Sequence, residues 1–81
     1  MFLADGPALL ERARAALAKG DLEAAGRAAH ALKGNAASLG ALPLSRACNA
    51  VEREARAGRA PSLEELEAEL QRVLAAVRGL R

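Results

Sequence analysis

The chain has 81 residues, with 12 basic and 10 acidic side chains and a formal net charge of +2. This length supports one small domain, and we interpret residues 1–81 as a single unit. The near balance of charge and the single aromatic residue, Phe2, argue against a nucleic-acid-binding surface. Because Ala, Leu, Glu and Arg dominate the composition, the sequence predicts an all-α fold.

The first segment with helical periodicity begins near Pro7 and is predicted as a helix over approximately residues 7–19. Proline suits the first position of a helix, where a backbone N–H has no partner within the helix. Gly20 is expected to end this helix, and Asp21 is expected to cap the next one. The predicted apolar face consists of Leu9, Leu10, Ala13, Ala16 and Leu17.

The second segment has the most regular apolar pattern of the chain. Its apolar residues recur in steps of three and four, which predicts a helix over approximately residues 21–39 with one buried face. Gly40 is expected to end this helix as a structural turn. The predicted buried face consists of Leu22, Ala25, Ala29, Leu32, Ala36 and Leu39.

Two further helices are predicted, over approximately residues 43–57 and 62–79. Pro43 starts the first of them. Ser62 and Glu65 have the spacing of a capping box, in which each side chain accepts a hydrogen bond from the other residue's backbone N–H. The predicted inner faces are Leu44, Ala47, Cys48, Val51 and Ala55, followed by Leu63, Leu66, Leu70, Val73, Val77 and Leu80. Four amphipathic helices joined by short turns predict an antiparallel up-down four-helix bundle.

His30 is the only histidine, and it lies one residue past Ala29, about 100° away from the predicted buried face. Gly26 and Gly34 lie one turn on either side of it, although a glycine inside a helix costs about 1 kcal/mol relative to alanine. We interpret the two glycines as a clearing that leaves the imidazole accessible to a partner, with the Lys33 ammonium on the same side. Imidazole is a suitable nucleophile near neutral pH. The alternative is a solvated histidine without a function.

The segment HALKGNAASLG, residues 30–40, resembles the signature of the histidine-containing phosphotransfer (Hpt) domain family. In that signature His, Leu, Lys and Gly are followed by a small residue and a closing Gly. Upstream, residues 18–21 resemble the family's turn into its histidine helix. Downstream, residues 44–52 match the inner face of the family's next helix, so the resemblance covers roughly residues 9–58.

The resemblance implies a phosphorelay carrier rather than an enzyme with its own ATP site. Nε2 of His30 would accept a phosphoryl group from the receiver-domain aspartate of a response regulator, or from a sensor histidine kinase, and pass it to another receiver. It also implies no cofactor or metal site of the chain's own, because the receiver supplies the Mg²⁺. The expected partners are proteins of these two kinds, not nucleic acid or a membrane.

The same resemblance implies roles for side chains near His30. Glu52 matches a position whose side chain accepts a hydrogen bond from Nδ1–H and so leaves Nε2 free; the alternative is a solvated glutamate in a charged run. Lys33 would neutralise a phosphoryl oxygen. Arg56 would hold the phosphoryl group or the partner, or be an ordinary surface charge. The predicted partner-docking residues are Gly26, Arg27, Gly34, Ala37 and Arg56.

The single cysteine, Cys48, excludes an internal disulfide and is expected to be a buried apolar side chain without a catalytic role. No apolar run reaches the roughly 20 residues that span a bilayer, and the start lacks the basic residues of a signal peptide, so we expect a cytoplasmic protein. We also expect it to be a monomer. The chain is either a stand-alone protein or one domain of a hybrid sensor histidine kinase. A non-catalytic helical adaptor or dimerisation module is the main alternative function, and a small nucleic-acid-binding bundle is a third.

Overall fold

The computed structural model describes residues 2–79, with side chains described from Asp5 onward. It contains four α-helices: α1 (Phe2–Ala18), α2 (Leu22–Ser38), α3 (Leu42–Arg56) and α4 (Glu64–Gly79). No strand occurs in this part of the chain, so the all-α prediction is confirmed. Helix α2 packs against α1 and α3, and α4 packs against α3 and α1, which gives the predicted antiparallel up-down bundle.

Helix α1 begins earlier than the sequence predicted. Pro7 was expected at the first helical position, but the helix begins at Phe2 and Pro7 lies inside it. Proline has no N–H to bond the carbonyl four residues earlier, and its ring crowds that carbonyl. Here the carbonyl belongs to the first turn of α1, so the disturbance is confined to the helix start. The helix therefore continues through Pro7.

The ends of α1, α2 and α3 share one geometry, and each has a glycine with positive φ: Gly20, Gly40 and Gly58. After α2, Ala41 donates to the Ala36 carbonyl at 2.9 Å and Gly40 donates to the Ala37 carbonyl at 3.0 Å. This pair of bonds is the Schellman motif, whose left-handed position favours glycine because other residues clash there. Short turns of this kind fold each helix back on the previous one.

The starts of α2 and α4 differ in how well the sequence predicted them. The Asp21 carboxylate accepts the backbone N–H of Ala24 at 3.0 Å, so its predicted N-cap role is confirmed. The predicted capping box of Ser62 and Glu65 is wrong. Helix α4 begins two residues later than expected, at Glu64, and the Ser62 hydroxyl accepts the Glu64 N–H at 3.3 Å instead.

The core is made of the inner faces of all four helices, and the predicted inner face of α3 is confirmed as buried. Leu39 was predicted in the α2 face, but it lies past the end of that helix and is 50% exposed. On α4 the pattern missed Leu74, which is buried, whereas Val73 is only partly buried. A step of four from Leu70 stays closer to its direction than a step of three, since a helix turns about 100° per residue. Leu80 lies outside the described residues.

Within the described part of the chain, none of the helices has both the length and the apolar character needed to cross a membrane.

Candidate functional site

His30 lies on the solvent-facing side of α2, and its side chain is 63% exposed. The residue before it, Ala29, and the residue two positions after it, Leu32, are both buried in the core. Helix phase therefore turns the imidazole outward while its helix is held by packing. Its Nδ1 lies 2.9 Å from Oε2 of Glu52, on the neighbouring helix α3. No described residue forms a hydrogen bond with the other ring nitrogen, Nε2.

Glu52 is a buried carboxylate at the junction of α2 and α3. Its side chain is only 3% exposed, so the alternative of a solvated glutamate is wrong. Besides the contact with His30, it accepts a hydrogen bond from Lys33, whose Nζ lies 2.7 Å from Oε1, and it forms an ion pair with Arg56, whose Nη2 lies 2.6 Å from Oε2. Burying an isolated charge costs free energy because the charge loses its hydration, and these three partners offset that cost.

Basic neighbours keep the Glu52 carboxyl ionised. The hydrogen bond from Lys33 is the main cause that lowers its pKa below the usual 4.5, against the opposing effect of burial. The charges of Lys33 and Arg56 and the hydrogen bond with His30 lower the pKa further. An ionised carboxylate has no proton to donate, so Nδ1 of a neutral His30 must be the donor. The lone pair of the neutral ring then lies on Nε2, which is the nitrogen left for attack on an electrophile.

Lys33 lies beside His30 on α2, but its ammonium is already engaged. Besides Glu52, it donates to Oδ1 of Asn49 at 3.4 Å, and its side chain is 28% exposed. Sequence reasoning did not find Asn49, which lies one turn before Glu52 on α3. Asn49 and Glu52 are three residues apart on one helix, so their side chains are neighbours, and this spacing could have identified Asn49. The role of Lys33 toward a phosphoryl oxygen stays a prediction.

Arg56 contacts the same oxygen of Glu52, Oε2, as His30 does. Its side chain is 74% exposed, yet its guanidinium is paired with Glu52 across one turn of α3. It is therefore not a free surface charge. Whether it also contacts a phosphoryl group or a partner stays a prediction.

The two glycines beside His30 have different surroundings, and their role in partner docking stays a prediction. Gly34 is exposed, and a Cβ added there would meet nothing within 4 Å. Gly26 is buried, and a Cβ added there would lie 3.4 Å from the Cβ of Ala55 on α3. Gly26 therefore lies where α2 and α3 pack closely, whereas Gly34 lies on open surface.

A groove runs beside His30 between α2 and α3 and contains several of the predicted docking residues. Arg27 is exposed on its rim and pairs with Glu23 at 3.3 Å. Ala37, on the same side of α2 as His30, is exposed but lies outside the groove. The groove is lined by Leu22, Glu23, Gly26, Arg27, His30, Glu52, Ala55 and Arg56.

Cys48 is fully buried on α3, as the sequence predicted. Burial raises the pKa of its thiol to about 12, so the thiol is protonated near neutral pH. Among the side chains described from Asp5 onward, no group of three or more His, Cys, Asp or Glu residues is arranged to hold a metal ion.

The family model of the Hpt domain matches residues 1–79, nearly the whole chain. Comparison with curated proteins and with solved structures finds no match.

Proposed function

This chain belongs to the Hpt domain family, and on that premise we propose that it carries a phosphoryl group on Nε2 of His30 between proteins of a phosphorelay. Family membership implies histidine phosphotransfer in two-component signalling, by a carrier rather than an enzyme with its own ATP site. The proposed partners are receiver domains of response regulators, with a sensor histidine kinase as another donor. We place the chain in the cytoplasm as a monomer, alone or within a longer kinase.

The observation that carries this proposal is the contact between an exposed imidazole and a buried, ionised carboxylate. Glu52 Oε2 lies 2.9 Å from Nδ1 of His30, and Glu52 is itself held by Lys33 and Arg56. A buried acceptor of this kind fixes the ring orientation and the tautomer in advance. It leaves Nε2 both unprotonated and accessible, as a nucleophile toward phosphorus must be.

The proposed transfer is an in-line displacement at phosphorus. The Nε2 lone pair forms the P–N bond as the P–O bond of the receiver's aspartyl phosphate breaks, and the aspartate leaves as a carboxylate. The phosphorylated ring keeps its proton on Nδ1 and gains positive charge, which the Glu52 carboxylate offsets. In the return step an aspartate oxygen of the next receiver attacks phosphorus, the P–N bond breaks, and neutral imidazole leaves. The receiver would supply the Mg²⁺ for both steps.

Lys33 is proposed to neutralise charge on the phosphoryl oxygens. Its ammonium has three donor hydrogens, and two of its contacts are to Glu52 and Asn49. We infer that the remaining donor faces the group carried by His30. Arg56 and Arg27, on the rim of the same groove, are proposed to contact the partner.

A transfer assay tests the carrier function. A receiver domain labelled from acetyl phosphate with a radioactive phosphoryl group is incubated with this chain, and the label on the chain is tested for stability. We expect a label that is lost in acid, survives in alkali, and is absent from His30→Gln. Failure of several receivers to label the chain, with the His30→Gln variant indistinguishable from wild type, would favour the adaptor alternative.

A further inference from the structure

Asn49 lies on α3 one turn before Glu52 and is partly buried at the junction with α2. Its Oδ1 accepts a hydrogen bond from Lys33 Nζ at 3.4 Å, and the same ammonium donates to Oε1 of Glu52 at 2.7 Å. Among the described residues, the Asn49 side chain forms a hydrogen bond only with Lys33. The contact with the ammonium is therefore the interaction that a substitution of Asn49 would remove.

The contacts between α2 and α3 at this junction follow one register. His30 on α2 contacts Glu52 on α3. Three residues later on α2, Lys33 contacts Asn49, which lies three residues earlier on α3. Antiparallel helices pair in this order, and three residues span about 4.5 Å along a helix, so Asn49 lies close to one turn from the level of the imidazole. Asn49 is thus placed to act through Lys33 rather than on the ring itself.

Two acceptors hold the Lys33 ammonium more firmly than one. A lysine side chain is long and flexible, so an ammonium held by Glu52 alone can swing around that carboxylate. A second acceptor on the same side of α3 restricts this movement. Because the ammonium is tetrahedral, fixing two of its N–H directions also fixes the third. The bond to Asn49 is long at 3.4 Å, so we expect a modest effect.

Asn49 is also an acceptor without a charge. Its amide oxygen faces Lys33, since an ammonium and an amide NH₂ group both donate hydrogen bonds. A carboxylate at this position would compete with a phosphoryl group for the ammonium and would repel the negative phosphoryl oxygens. The amide holds Lys33 in place without either effect.

We propose that Asn49 is a positioning residue for phosphoryl transfer: its amide oxygen directs the Lys33 ammonium toward the group carried on His30, and its neutrality leaves the positive charge of Lys33 to the phosphoryl oxygens. This role rests on the proposed carrier function and adds to it a residue outside the histidine helix. Asn49 gives up and takes no proton in either transfer step.

Single-turnover transfer from a phosphorylated receiver tests whether Asn49 acts through Lys33. Asn49→Ala should slow transfer about threefold in the wild-type chain, and less than about 1.5-fold in a chain that already carries Lys33→Ala. The matched control Ser45→Ala removes another partly buried polar side chain, one turn earlier on α3, and should transfer like wild type. Slowing by the same factor in both backgrounds, or no slowing in either, would overturn the proposal.

The variant Asn49→Asp separates the holding of Lys33 from the charge at position 49, because it keeps an acceptor of the same size. Exchange of the Lys33 ammonium hydrogens with water, followed by NMR in the unphosphorylated chain, should be faster in Asn49→Ala and no faster than wild type in Asn49→Asp. At equilibrium with the receiver, Asn49→Asp should nevertheless hold about threefold less phosphoryl group than wild type. Wild-type exchange in Asn49→Ala, or wild-type loading of Asn49→Asp, would contradict the proposed role.

The carrier function and the role of Asn49 fail in different ways. If the wild-type chain accepts no phosphoryl group, the carrier function fails and the role of Asn49 fails with it. If the wild-type chain is loaded and Asn49→Ala transfers at the same rate, only the role of Asn49 fails. Thermal unfolding shows whether each variant is folded. If Asn49→Ala is not, Asn49→Leu, which keeps the size but not the acceptor, replaces it with the same expected results.

Discussion

The face of α3 toward α2 and its face toward solvent each contain a glutamate paired with basic side chains. The two glutamates differ in burial and in what they contact. Glu52 lies on the inner face, where it is buried and holds His30, Lys33 and Arg56. Glu54, two residues later, is on the outer face and pairs with the exposed Arg59. Basic partners lower the pKa of both carboxyls, in Glu54 chiefly through the hydrogen bond from Arg59. The difference is that only Glu52 also contacts an exposed imidazole, that of His30.

Removing the two carboxylates, one at a time, should give the largest difference between the two faces of α3. Glu52→Ala should slow phosphoryl transfer about 10- to 100-fold, because the imidazole loses the group that fixes its tautomer. It should also lower the free energy of unfolding by about 2 kcal/mol, because His30 and Lys33 lose a charged hydrogen-bond acceptor and Arg56 loses its ion pair. The matched control, Glu54→Ala, should change transfer and stability little. Equal loss of transfer rate in the two variants would refute the distinction between the faces.

Substitutions at the two glycines beside His30 should distinguish partner docking on α2 from the packing of α2 against α3. Gly34→Leu should leave the bundle folded and slow transfer about tenfold, because the added side chain lies in the space a partner would use. Gly26→Leu should instead lower the free energy of unfolding by about 1 to 3 kcal/mol, because its side chain meets Ala55. Thermal unfolding and transfer rates of both variants check this. Wild-type transfer in Gly34→Leu would contradict the accessibility of this face.

Lys33→Ala should have a smaller effect on transfer, about three- to tenfold. The variant removes the cation that we propose neutralises the phosphoryl group, while Arg56 still pairs with the Glu52 carboxylate. Single-turnover transfer from a phosphorylated receiver measures the change. A loss as complete as that of His30→Gln would mean that Lys33 does more than neutralise charge.

The smallest expected effect is a decrease in the contribution of Glu52 to the free energy of unfolding at low pH. The pKa of Glu52 is lower in the folded chain than its usual 4.5, so its contribution to stability is present above that pH and is lost as the pH falls through the folded pKa. The difference in free energy of unfolding between wild type and Glu52→Gln should therefore be constant above about pH 5 and shrink below it. A difference that does not shrink in acid would contradict ion pairing at Glu52.

The sequence predicted the helices better than it predicted the site. Apolar periodicity was sufficient for α3, because its buried residues, from Leu44 to Ala55, keep one direction over about three turns. It failed at Leu39, since periodicity does not show where a helix ends. The start predicted at Pro7 was wrong because proline is also tolerated within the first turns of a helix. The burial of Glu52 was left open, because a run of charges in sequence does not show which residue faces the next helix. The contact of Gly26 with Ala55 and that of Lys33 with Asn49 depend on how α2 and α3 pack, which no pattern within one helix contains.

The most direct test of the central claim is the protonation of the two ring nitrogens of His30. Nitrogen-15 shifts of the imidazole, measured at about pH 8 where an ordinary histidine is neutral, distinguish a protonated from an unprotonated ring nitrogen. The contact with Glu52 predicts that Nδ1 carries the proton and Nε2 does not, and that Glu52→Ala loses this preference. A wild-type ring protonated mainly on Nε2 would contradict the proposal that Glu52 prepares this nitrogen to accept a phosphoryl group.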